Sequence, residues 1–178
     1  MTENVTQKPV LDSVQSFENI INFVNTKLIF RGLSLEQWYN QTKFPEIPVF
    51  ADKEEILKLN SLVINKSELI YKNTAIAKGA LVSAKARYLA NVQAYKVNCL
   101  DEIEEQNKNG AKKSKPSSEI LEAKASVHCK NDQQTVVLAE IVYDFWKYQV
   151  DKLQLFNTRL TSMNISLHND EKYANANT

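Results

Sequence analysis

Three glycines and four prolines in 178 residues leave little material for tight turns. An all-β fold needs such turns often, so their scarcity favours long, uninterrupted helices. Two cysteines, Cys99 and Cys129, form no C-x-x-C pair and read as two reduced thiols of a cytosolic protein. Zinc asks for about four ordered ligands. Cys99, His128 and Cys129 supply three at most, with Cys99 about one helical turn out of register, and His168 stands alone. No metal or cofactor is therefore expected. No apolar run approaches about 18 residues, so nothing is expected to span a membrane. Met1–Pro9 is polar and lacks the apolar core of a secretory signal. The chain also has no Ser/His/Asp or Cys/His arrangement, glycine-rich phosphate loop or paired acid site, so an enzyme is not expected.

The most informative gap is one of charge. Between Glu68 and Asp101 there is no carboxylate, but there are five cations: Lys72, Lys78, Lys85, Arg87 and Lys96. Tyr71, Tyr88 and Tyr95 are interleaved with them. The whole chain carries a formal charge of only +1. Like charges on one helix repel, so this concentration is mildly destabilising unless a polyanion lies against it. Lysine outnumbers arginine 19 to 3, which suits sequence-blind phosphate contact better than base reading.

Periodicity predicts an all-α fold: a long antiparallel helical hairpin preceded by two shorter helices. Residues 1–10 read as a flexible tail, and residues 11–50 as the N-terminal helical segment. Within it, Leu11, Val14, Phe17, Ile20, Ile21, Val24 and Leu28 mark a helix over 11–31 that Gly32 can end. Ser34 can cap a second, through about Gln41, and Phe44-Pro45-Glu46-Ile47-Pro48 breaks it. The hairpin spans 51–168. Asp52 and Glu55 make a capping-box start, and a seam from Ile56 through Ile70, Leu81 and Tyr88 to Tyr95 follows. Roughly 55 residues at 1.5 Å each give a helix of about 80 Å. A polar loop over 107–116 leads to a second long helix, capped by Ser117 or Ser118 and fraying near Asn169. Residues 169–178 read as a disordered tail. In an antiparallel hairpin, facing residue numbers should sum to about 223. That sets Leu81 against Val142, Ile70 against Leu153, Val63 against Leu160, and Asn91 beside Asn131, Asp132 and Gln134. The polar middle reads either as a register-fixing layer or as a solvated section near the tip. Phe145, Trp146, Tyr148 and Phe156 exceed what one partner helix can cover. The N-terminal helices and further copies are expected to share that task, which predicts a homo-oligomer.

Lys78, Lys85 and Lys96 fall within about 20° of one another on a helical wheel, with Arg87 across the seam. They and Lys72 are candidate phosphate contacts, with Tyr88 as a candidate stacking residue. The plainer reading is of lysines flanking a coiled-coil seam, with Tyr88 and Tyr95 in that seam. The loop lysines Lys108, Lys112, Lys113 and Lys115 are either a second contact or a solvated turn. The acidic cluster Asp101–Glu105 before them can neutralise the loop in cis or meet another subunit.

Ala84-Lys85-Ala86-Arg87-Tyr88 resembles the Leu-Lys-Ala-Arg motif of the UvsY family of phage recombination mediators. Ser118-Glu119-Ile120 is similar to that family's Ser-Glu-Met helix start, and Asp144-Phe145 with Asp151 is similar to its spaced acidic residues. The likeness covers about residues 58–165. It implies an oligomeric, non-enzymatic protein that binds single-stranded DNA and helps load a RecA-like recombinase onto DNA covered by single-strand-binding protein. Lys85 and Arg87 match its Lys-x-Arg and would touch DNA. The implied location is the host cytoplasm. This chain differs in its N-terminal extension and in a first helix that runs two turns or more past the motif. The alternative is a helical structural or assembly protein, such as a virion or scaffold component.

Overall fold

The computed structural model describes residues 18–19, 21–48 and 51–176, apart from the side chains of 170, 171 and 173–176. The expected 1–10 tail, and Leu11, Val14, Phe17 and Ile20 of the first helix, lie outside these. The described fold is all-α but for one two-stranded ribbon. The first helix, α1, includes residues 18–19 and 21–27.

Gly32 does not end that helix. It sits in the turn of a hairpin between β1 (Ile29–Phe30) and β2 (Leu33–Ser34), in the register Ile29↔Ser34 and Phe30↔Leu33. A two-residue hairpin loop of the type I′ kind, whose twist matches the strands, needs positive φ at both central residues. Arg31 (φ 50°) and Gly32 (φ 85°) provide this, the glycine without steric cost. The apolar 3–4 spacing runs only to Leu28, so a helix drawn on to Gly32 overran the two short strands.

Helix α2 (Leu35–Thr42) starts on a full capping box, Ser34 with Gln37. Trp38 Nε1 donates to the Phe30 carbonyl at 2.7 Å and pins the ribbon to α2. At the other end, the Lys66 ammonium donates to the carbonyls of Gln41 and Lys43, where the helix dipole favours a cation. Burial, and secondarily the charge of Lys43, lowers the Lys66 pKa.

Helix α3 (Lys53–Lys108) opens on the expected Asp52/Glu55 box, with Glu55 N–H donating to Asp52 Oδ1 at 2.8 Å. It ends in a Schellman motif. Gly110 (φ 92°) donates to the Asn107 carbonyl, and Ala111 to that of Gln106. Asn107 then fixes the loop with two bonds to the Lys113 backbone.

Helix α4 (Ser118–His128) is capped by Ser117. It gives way at Cys129 (φ −90°, ψ 19°) to α5 (Lys130–Ala176). Two corrections follow. The second long helix has a break at Cys129, although the Cys129 carbonyl still accepts from Gln133 N–H. And α5 continues to Ala176, past the expected end near Asn169. No glycine or proline follows Asn169 to stop it.

Helices α3 and α5 pack along one another, and the chain divides into two units. The first comprises residues up to Ile70 and from Gln149 onward. Its core is Ala51, Ile56, Phe156 and Leu160, with Phe44, Leu59, Val63 and Met163 against it. Phe44 stacks on Phe156 with centroids 4.6 Å apart, so the segment after α2 covers one of the surplus aromatics.

The second unit is Tyr71–Tyr148. Ala77, Leu81 and Ala84 of α3 are buried there, as are Leu121, Ala125, Val142 and Trp146. Tyr95 stacks on His128 at 4.5 Å, and Asn91 Nδ2 donates to Asp132 Oδ2 at 2.7 Å. Both pairs sum to 223, the register read from the sequence. The Asn91–Asp132 bond is solvent-exposed, which matches the solvated reading of the polar middle.

Candidate nucleic-acid interface

All five cations of the carboxylate-free stretch lie on α3 within the second unit. Lys72 and Lys78 are exposed and meet no carboxylate among the described residues. The other three are paired across the hairpin. Lys85 Nζ lies 2.9 Å from Glu140 Oε1, Arg87 Nε 3.0 Å from Asp132 Oδ1, and Lys96 Nζ 3.0 Å from Glu122 Oε1.

The stretch of α3 between Glu68 and Asp101 has no acids of its own, and α4 and α5 supply carboxylates to three of its cations. This cis-neutralisation was not legible from α3 alone. It reduces the bare charge available to a polyanion, though not to zero. Residues 71–148 hold twelve Lys and Arg side chains against nine carboxylates.

The pairs differ in their surroundings. Lys85 and Glu140 are each about half exposed, as is Arg87. The Lys85–Glu140 pair, wet on both sides, contributes roughly 0–1 kcal/mol, so a phosphate can replace that carboxylate at small cost, whereas Asp132 beside Arg87 is only 23% exposed. The Lys96 side chain is only 19% exposed and is the least accessible of the five.

Tyr88 does not join the outward cations. It is half-buried and lies on the same helical line as Ile70, within the seam. Tyr71 is the outward tyrosine, 50% exposed beside Lys72. It shares its face with Val82 and Leu89, both 60% exposed and turned away from the buried Ala77–Leu81–Ala84 line. Sequence reasoning followed the buried seam and missed this second apolar row. The seven-residue step from Val82 to Leu89 was its signal.

The loop is partly neutralised in cis as well: Lys115 Nζ lies 2.7 Å from Glu104 Oε1. That bond, and then the charge behind it, holds the Glu104 carboxyl below the usual range.

Near the α4–α5 break, Cys129 is buried and Cys99 half-buried, both as free thiols. A hydrogen bond with Cys99, followed by burial, raises the Tyr95 phenol. Among the described residues no three His, Cys, Asp or Glu side chains converge as metal ligands, and no helix is long and apolar enough to cross a membrane.

Comparison with known protein families, curated proteins and solved structures finds no match to this chain.

Proposed function

We propose that this chain is a non-enzymatic, self-associating protein that binds single-stranded DNA along α3, in the manner of a recombination mediator. The observation that carries this is the gap in negative charge. Between Glu68 and Asp101 α3 presents cations only; among the described residues two meet no carboxylate, a third is held by a wet, exchangeable pair, and Arg87, paired with Asp132, is itself more than half exposed. Phosphates arriving along the helix would displace counterions at Lys72 and Lys78 and compete with Glu140 and Asp132 for Lys85 and Arg87. Tyr71, rather than Tyr88, offers a ring for base stacking. The likeness to the UvsY family supports the same reading and extends it to a RecA-like recombinase and a single-strand-binding protein as partners in a host cytoplasm.

The test is fluorescence anisotropy of labelled oligo-dT at rising salt. The expected result is binding at low ionic strength that weakens steeply with salt, and weakens further in the Lys72→Ala/Lys78→Ala variant. No binding at low salt overturns the proposal.

A second reading, a helical assembly or virion component, is favoured by the outward row Tyr71, Val82 and Leu89. An apolar row of this kind is ordinarily covered by a partner. Stoichiometric recovery of the protein in purified particles, with no affinity for oligo-dT, would select this reading.

A further inference from the structure

A second concave site lies in the first unit, on residues that the α3 face does not use. Tyr39 and Lys43 at the end of α2, Phe44 just beyond it, and Gln149, Phe156 and Arg159 on α5 enclose a cleft of about 190 Å³. Lys152 adds a third cation to its wall, and no carboxylate lines it. The stacked rings of Phe44 and Phe156 form a flat apolar side.

Gln149 is 1% exposed. Its Oε1 accepts from Thr42 Oγ1 at 3.1 Å, and Nε2 has no partner among the described residues. Thr42 Oγ1 also lies 2.8 Å from the Trp38 carbonyl. Whichever way the amide is turned, Thr42 serves one end only. A buried polar group left this way is destabilising, and a ligand that bonds to it recovers that cost.

The cleft continues into a shallower groove of about 800 Å³, which shares Phe44, Lys152, Phe156 and Arg159 and adds Pro45, Pro48 and Met163. One carboxylate, Glu46, stands on this outer groove.

We infer that the cleft binds a nucleoside monophosphate, with the phosphate at Lys43 and Arg159 and the base against the aromatic wall and groove. A guanidinium fork matches a phosphate bidentately, and an ammonium completes the charge. Flat rings beside these cations suit a base, and the free end of the Gln149 amide can bond to its polar edge. The cleft alone is smaller than pockets that enclose whole drug-sized ligands, so the base extends along the groove. The same chemistry is offered by a free mononucleotide and by the phosphorylated 5′ end of a DNA strand.

The experiment is isothermal titration of the full chain with dTMP and with thymidine at low salt. Binding of dTMP, at least about ten-fold weaker for thymidine and for Arg159→Ala, supports the inference. Arg159 is exposed, so this variant should fold; circular dichroism checks that it does. Gln149→Leu, close in volume, should also weaken dTMP binding. Competition then separates the sources. Displacement of dTMP by 5′-phosphorylated but not 5′-hydroxyl oligo-dT assigns the cleft to strand ends, and absence of displacement assigns it to free nucleotide. No dTMP binding, equal binding of thymidine, or unchanged binding in Arg159→Ala overturns the inference. So does an acidic peptide that binds through Arg159 while dTMP does not. Lys72→Ala/Lys78→Ala should leave dTMP binding intact, which keeps failure at this site distinct from failure on α3.

Discussion

Lys85 Nζ and Glu140 Oε1 meet at 2.9 Å across the hairpin, joining the motif lysine of α3 to α5. If phosphates compete with that carboxylate, removing its charge should favour DNA. Glu140→Gln is expected to tighten oligo-dT binding several-fold and to steepen the salt dependence by about one phosphate contact. Lys85→Ala with Arg87→Ala should do the reverse. Unchanged affinity in Glu140→Gln, measured by anisotropy across a salt series, would show that Lys85 serves the hairpin alone.

That pair also marks the limit of what the sequence disclosed. The long α3, its Asp52/Glu55 start, the glycine stop at Gly110 and the pairing of Asn91 with Asp132 were legible because each rests on local chemistry or on one register sum. The Arg31-Gly32 hairpin was not, since its two strands are two residues each, too short to show an alternating pattern. Nor were the partners of Lys85, Arg87 and Lys96. A carboxylate-free run looks the same in one strand of sequence whether its counter-charges come from a ligand or from another helix. The register placed Asp132 by Asn91, but a long arginine reaches more than one turn from its own position, so Arg87 reached the same acid. The cleft at Gln149 depends on a contact between Thr42 and a residue more than a hundred positions away, which no spacing rule anticipates.

The outward row on α3 gives a second expectation. Val82 and Leu89 are each 60% exposed one heptad apart, on the side away from the buried line. If copies associate there, Val82→Glu with Leu89→Glu should shift the protein to a smaller species in mass photometry while circular dichroism is retained. A wild-type chain that is already monomeric would remove this role from the row.

Two leucines of α5 provide a test of packing. Leu160 is fully buried beside Ile56 and Phe156, whereas Leu155 is 49% exposed. Truncating Leu160 removes buried methyls and leaves a cavity, so Leu160→Ala should cost about 2–5 kcal/mol in urea unfolding. Leu155→Ala should be far milder, about 0.5–1 kcal/mol, because much of its surface is already in water. Similar losses for both would contradict the orientation of α5 in this unit.

The loop pair Lys115–Glu104 gives an expectation in pH. The bond from Lys115 and its charge lower the Glu104 pKa, while the unfolded chain keeps an ordinary glutamate value. Below the folded pKa the carboxyl is protonated in both states and the pair contributes nothing. Above the unfolded value it is ionised in both, and its contribution is complete. The contribution is therefore lost as pH falls through the acid range, and it is small because both side chains are about half exposed or more. A carboxyl titration followed by NMR should place the Glu104 midpoint below ordinary glutamate values. Lys115→Met should return it toward them, with Lys108 as the minor remaining cause. A midpoint that stays low in this variant would mean that the loop bond is not what holds it down.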